Sequence, residues 1–176
     1  MRGRDDERMA IATAYLDTNF FSVLHYTGGQ LSSLAQHLKT RQWWELERGN
    51  FKLFSSTFTQ AELSHGVFRS QEHACALSNR LPFLPDNREV RQCTNLILQC
   101  GLIPANKPVD AIQLALATVH RMDYLLTWNY AHLANVNVQR RLEALNSKNG
   151  WRTPFLVSPE TIPWLSMGQN VRRKDG

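Results

Sequence analysis

Nowhere in the 176 residues do eighteen apolar residues run together, which excludes a helix that spans a membrane. The first eight residues mix three arginines with three acids, and Asp17 interrupts the apolar stretch behind them, so the start does not read as a secretory signal. Cysteine is scarce. Cys75, Cys93 and Cys100 are an odd number and none lies in a Cys-x-x-Cys, which points to free, mostly buried thiols in a reducing, cytoplasmic setting. The six histidines are scattered without two-plus-two ligand spacing, which argues against structural zinc. Gly28-Gly29 fits neither a phosphate-cradling loop nor a dinucleotide fingerprint. There are no internal repeats, no low-complexity tract and no hairpin signal.

What is present is globular composition, 43% hydrophobic with 20% charged, at a length that suits one domain. We expect a leader over 1–8, a single domain over 9–166 and a basic tail over 167–176. The net charge of +5 weakly favours anionic partners such as nucleic acid. Residues 11–16, 51–56, 123–127 and 154–158 read as strands. Between them, helical spacing begins at Thr18, at about Leu31 with Leu31, Leu34, Ala35 and Leu38 on one face, and after Ser56. It resumes over 90–100, over 109–121 behind a first-turn Pro108, and over about 131–145. Residues 81–86 read as a turn-rich connector. Strands alternating with helices predict an α/β fold, a three-layer α/β/α sandwich around a mainly parallel sheet of four to five strands.

Ligands of open parallel sheets sit beyond the carboxyl ends of the strands. Asp17 closes the first strand there, Glu62 lies in the first turn after the second, and Asp110 opens the helix that leads to the third. Each has an ordinary reading: Asp17 as an N-cap, Glu62 as the acid of a Thr59-x-x-Glu62 capping box, and Asp110 as a partner of the helix dipole. Together they point elsewhere. Two carboxylates about 4 Å apart repel by roughly 4 kcal/mol at an effective dielectric near 20. Three at one place suit a hard divalent cation such as Mg²⁺ or Mn²⁺.

The run AYLDTN over 14–19, the Glu62 junction, VDAIQLALA over 109–117 and DYLLTWN over 123–129 resemble the PIN domain, in that order and with suitable gaps. The likeness covers roughly residues 12–160 and is nearest the VapC-type toxins of bacterial toxin–antitoxin pairs, whose closing segment VSPE at 157–160 also resembles. The resemblance implies a metal-dependent ribonuclease of the cytoplasm. Asp17, Glu62 and Asp110 would be both its catalytic residues and its Mg²⁺ or Mn²⁺ site, with Asn19 and Thr127 buttressing them. It further implies an RNA substrate, an antitoxin partner and a homodimer. Where the family often has a fourth acid, this chain has Asn129 and, three residues on, His132, so a single metal is the expectation. Asn129 is then a supporting residue, through its amide oxygen or by orienting a phosphate, and His132 reads as an ordinary helix histidine. The other readings weighed are a PIN fold that only binds RNA or a protein, and a haloacid-dehalogenase-like phosphatase, which Asn19 disfavours by standing where a second Asp is needed. Trp43-Trp44 between Arg41 and Arg48 offers a surface for single-stranded RNA or a peptide, set against packing in the core. Trp128 faces either the site or the sheet.

Overall fold

Strands β1 (Ala12–Leu16), β2 (Phe51–Ser56), β3 (Phe83–Leu84), β4 (Tyr124–Leu126) and β5 (Phe155–Val157) form one sheet in the order β3-β2-β1-β4-β5, every pairing parallel. The computed structural model describes residues 11–162. The proposed leader, the basic tail with Arg172, Arg173 and Lys174, and the end of the expected domain lie outside the described residues. Helices α1 (Thr18–Leu24), α2 (Leu31–Leu46), α3 (Thr57–His65) and α4 (Gln71–Ser78) belong to the first half of the chain. The second half supplies α5 (Arg88–Gln99), α6 (Pro108–Val119) and α7 (Val136–Asn149).

Side chains alternate across the strands, and the alternation builds two cores. Ala14, Leu16, Tyr124 and Leu126 face a cluster with Phe20, Phe21, Trp43 and Leu63. Tyr15 and Leu125 face the other, with Cys93, Ile97, Leu114 and Leu142. A sheet covered on both sides has apolar residues at successive strand positions, which is why β1 and β4 carry little polar character. The three-layer sandwich expected from the strand–helix alternation is therefore the observed architecture, with five strands.

Several local expectations need correction. Residues 81–86 include the two-residue β3, held beside β2 by pairing of Ser55 with Phe83 and Ser56 with Leu84. The stripe Leu31, Leu34, Ala35 and Leu38 faces outward: Leu31 is 84% and Leu38 58% exposed. α2 is anchored instead by Thr40 and Trp43, both buried, the indole packing edge-on against Phe20. On α6 the buried residues are Ala111 and the run 113–118, while Ile112 and Val119 are half-buried. The last helix starts at Val136, later than expected, because the Asn135 side chain accepts the Val138 N–H. It stops at Gly150, whose φ of 72° is the left-handed conformation glycine adopts without strain. Of the three free thiols only Cys93 is buried, and burial pushes it up to about 12; Cys75 is half-buried and Cys100 exposed. The Arg141 guanidinium donates to the carbonyls of Cys100 and Gly101 just past α5.

Candidate active site

Reading outward from the centre, strand order runs one way through β2 and β3 and the other through β4 and β5. The reversal lies between β1 and β4, where helices leave on opposite faces and a crevice opens. Asp17 follows β1 at that point and is 2% exposed. It is the N-cap of α1, as its ordinary reading had it, accepting the Asn19 N–H. Its other oxygen accepts the Thr127 hydroxyl, which reaches across from the end of β4.

Asn19 and Thr127 join the two strand ends. The Asn19 amide oxygen accepts the Trp128 N–H at 2.8 Å, and its NH₂ donates to the Thr127 hydroxyl at 3.3 Å. Both thus sit against the Asp17 carboxylate. Asn129 is one step removed: its N–H donates to Thr127 Oγ1 at 3.0 Å, while its side-chain oxygen accepts the His132 N–H at 3.1 Å and caps the turn that follows. His132 is half-buried in that turn rather than in a helix.

Glu62 lies in the second turn of α3. The Thr59 capping box expected from the sequence does not form, because α3 begins directly where β2 ends. Ser56 is the N-cap and accepts the Thr59 N–H at 3.1 Å. The Thr59 hydroxyl is spent instead in a buried trio with Ser56 and Tyr15, whose phenol lies 2.8 Å from Ser56 Oγ and 3.0 Å from Thr59 Oγ1. Glu62 Oε2 accepts the Thr18 hydroxyl at 2.5 Å and the Gln113 amide N–H at 3.0 Å.

Gln113 was not foreseen. It is 2% exposed, one turn beyond Asp110 on α6, and its amide also donates to Thr18 at 3.2 Å. The readable signal was a lone amide inside an otherwise apolar helix at i+3 from the acid, which places both on one face.

Asp110 lies in the first turn of α6 behind Pro108, as expected. Its Oδ2 is buried and has no hydrogen-bond partner.

The electrostatics of Asp17 and Glu62 register their neighbours. Burial raises Asp17 most, to about 7; the Thr127 and Asn19 hydrogen bonds oppose this, and the charges of Glu62 and Asp110 add to it. Glu62 is also raised, by burial first, with Asp110 pushing the same way against the Thr18 hydrogen bond. Asp17 and Glu62, partly dry and beside other acid charge, thus resist ionisation unless a cation joins them.

Among the described residues no three His, Cys, Asp or Glu side chains stand as a ready-made ligand set. The donors nonetheless fit a hard cation. All are carboxylate oxygens, Asp110 Oδ2 is buried without a partner, and Glu62 retains Oε1 outside its hydrogen bonds. Such an ion would neutralise the mutual repulsion.

Two of the aromatic questions resolve. Trp43 is in the core, and Trp128 is buried against α2 with its indole N–H on Thr40 at 2.8 Å. Trp44 is half-buried, with the Arg48 guanidinium 5.0 Å from its ring centre.

The family model for the PIN domain matches residues 14–139. That span contains Asp17, Glu62, Asp110 and Thr127. No curated protein and no solved structure matches the chain.

Proposed function

Because the chain belongs to the PIN domain family, a family of metal-dependent nucleases, we propose that it is an endoribonuclease that hydrolyses RNA phosphodiesters with Mg²⁺ or Mn²⁺. The observation that carries the reading is the coupling of Asp17, Glu62 and Asp110 at the switch point of the sheet, with Asp110 Oδ2 buried and unpartnered. Asp17, Glu62 and Asp110 would hold the cation. When bound, it polarises the phosphoryl oxygens and makes a water more acidic near neutral pH.

The chain's own residues do the rest. Thr127 and Asn19 fix the carboxylate of Asp17 in one orientation, so little reorganisation is needed when substrate arrives. Thr18 and Gln113 occupy Glu62 Oε2 and leave Oε1 as the one atom that either holds the cation or takes a proton from the attacking water. The raised proton affinity of Glu62 suits that role. Asn129 stands where a fourth acid would be, with its side-chain oxygen already engaged by His132, which favours one cation over two.

In the cell we assign it to the toxin of a toxin–antitoxin pair, acting in the cytoplasm as a homodimer. The uncovered apolar face of α2, with Leu31, Leu34 and Leu38, supports a protein partner. No helix among the described residues is long and apolar enough to cross a membrane.

The test is cleavage of mixed RNAs by purified protein with Mn²⁺, Mg²⁺ or chelator, beside Asp17→Asn. Cleavage that needs metal and is lost in the variant is the expected result. No cleavage together with no metal binding would replace the enzyme by a PIN-fold binding module.

A further inference from the structure

Away from the acids, a cavity of about 610 Å³ lies between the end of α1, the middle of α2 and the start of α4. Its wall carries His25, His37, His73, Arg41, Arg69 and Trp44. Three imidazoles and two guanidiniums face one carboxylate, Glu45, which is already paired with Arg41 at 2.7 Å. Arg69 has no ion-pair partner among the described residues. The positive charge at the mouth is therefore uncompensated.

Two of the histidines are held in a fixed state. His25 Nδ1 donates to the Phe21 carbonyl at 3.0 Å and His37 Nδ1 to the Val23 carbonyl at 2.9 Å. A carbonyl only accepts, so in each ring Nδ1 carries a proton and Nε2 is the nitrogen left outside these hydrogen bonds. The rings of His25 and His73 lie nearly parallel, 25° apart with centres at 6.1 Å, and present flat faces.

Cations beside flat aromatic faces are what a nucleotide requires. Phosphate takes guanidinium and imidazolium donors, and a base stacks on Trp or His rings. The cavity is also within reach of the acids. His25 ends the helix that Asp17 begins, a distance of about 12 Å along its axis. We propose that this cavity binds one nucleotide of a single-stranded RNA whose next-but-one phosphodiester lies at Asp17, with the phosphate on Arg69 and the histidines and the base on the aromatic wall. The proposal rests on the nuclease reading and names its substrate as unpaired RNA, since a base locked in a duplex has no free face to stack.

Binding carries a pH signature. Burial lowers His25 below the usual imidazole range and the neighbouring His73 and His37 lower it further, against the hydrogen bond to Phe21. The groups facing it are His37, Arg41 and Glu45 from α2, with Arg69 and His73 from α4 and the residues before it. An incoming phosphate offsets the repulsion among the cations, so affinity rises as pH falls through and below about 6.5, the ordinary imidazole value under which His25 lies.

The experiment uses the full chain in chelator, where nothing is cut. A short labelled single-stranded RNA, the same RNA as a duplex, uridine monophosphate and a polyglutamate peptide are titrated by fluorescence anisotropy. Wild type, Arg69→Ala/His73→Ala and Asp17→Asn are compared. Arg69 and His73 are exposed, so the double variant keeps its fold, which circular dichroism verifies. The expected result is binding of the single strand over the duplex, tighter at lower pH, weakened about tenfold in the double variant, and retained in Asp17→Asn. Equal binding to the double variant overturns the proposal even if cleavage with Mn²⁺ is normal. Mononucleotide binding as tight as the strand would make the ligand a free nucleotide, and capture of polyglutamate but not RNA would make it an acidic peptide; either overturns it. Cavity-dependent RNA binding with no cleavage under any metal would uphold this site and remove the nuclease reading instead.

Discussion

Asp17 concentrates the conflict between stability and chemistry. Its carboxyl is raised from the ordinary carboxylate range to about 7 in the folded chain. The folded state therefore binds a proton more readily than the unfolded state between about pH 4 and 7, and stability falls as pH rises through that window. At neutral pH and above, without metal, Asp17 costs at most about 4 kcal/mol. Thermal melts in chelator should drop from pH 5 to pH 8 and level off beyond. Asp17→Asn should flatten that slope, and Mn²⁺ should raise the melting temperature of wild type at pH 8 but not of the variant. Gln113 is a second residue-scale case. It holds Glu62 Oε2, so in the proposed nuclease it would act through Glu62 as a positioning residue. Gln113→Leu should weaken metal affinity by about 10–100-fold while Gln113→Glu fails to rescue, since it adds an anion where a donor is needed. Isothermal titration with Mn²⁺ reads both, and an unchanged affinity in Gln113→Leu would leave the amide a purely structural role.

Among the elements, α2 and α6 respond to different forces. Leu31, Leu34 and Leu38 are on open surface, so changing each to Ser should alter stability by no more than about 0.5 kcal/mol. Trp43→Ala should cost about 3–5 kcal/mol and Leu114→Ala about 2–5 kcal/mol, because both side chains are packed on all sides. Urea denaturation measures all five. The contrast also explains what the sequence could reveal. β4 is read to within one residue at each end because a strand covered on both faces leaves an uninterrupted apolar run, here Tyr124, Leu125 and Leu126. Periodicity alone cannot tell which apolar stripe of a helix meets the core, and α2 turns Trp43 inward through tertiary packing with Phe20 and Phe51. β3 is two residues long and has no period to read. Asp17 and Asp110 were legible as acids at strand and helix ends. Gln113 and Thr18 were not, since their role is a hydrogen bond across elements far apart in the chain.

For the whole molecule, the two ends of the sheet carry opposite pH signs. At the end away from the acids, burial opposes ionisation of Asp123, but the Thr13 N–H and hydroxyl and the Arg152 guanidinium together hold it below the ordinary range. A depressed carboxylate gives stability above its unfolded value that is lost as pH falls through its folded one. With Asp17 acting oppositely above pH 4, the metal-free protein should be most stable in mildly acidic buffer, between about pH 4 and 5. Chemical denaturation across pH 3–8 in chelator checks it; a maximum at neutral pH would contradict both assignments. Arg152→Ala should lessen the acid-side loss, the Thr13 hydrogen bonds retaining the rest, without moving the slope above pH 5.

The parallel order places β1, the first strand of the described residues, between β2 and β4, and its partner β4 lies more than a hundred residues later. During synthesis the amino end therefore waits. Asp17 gains the Thr127 hydroxyl, and the crevice its second wall, only after the chain through β4 has left the ribosome. As the proposed ribonuclease, the nascent chain is thus without a finished cutting centre until β4 has been translated.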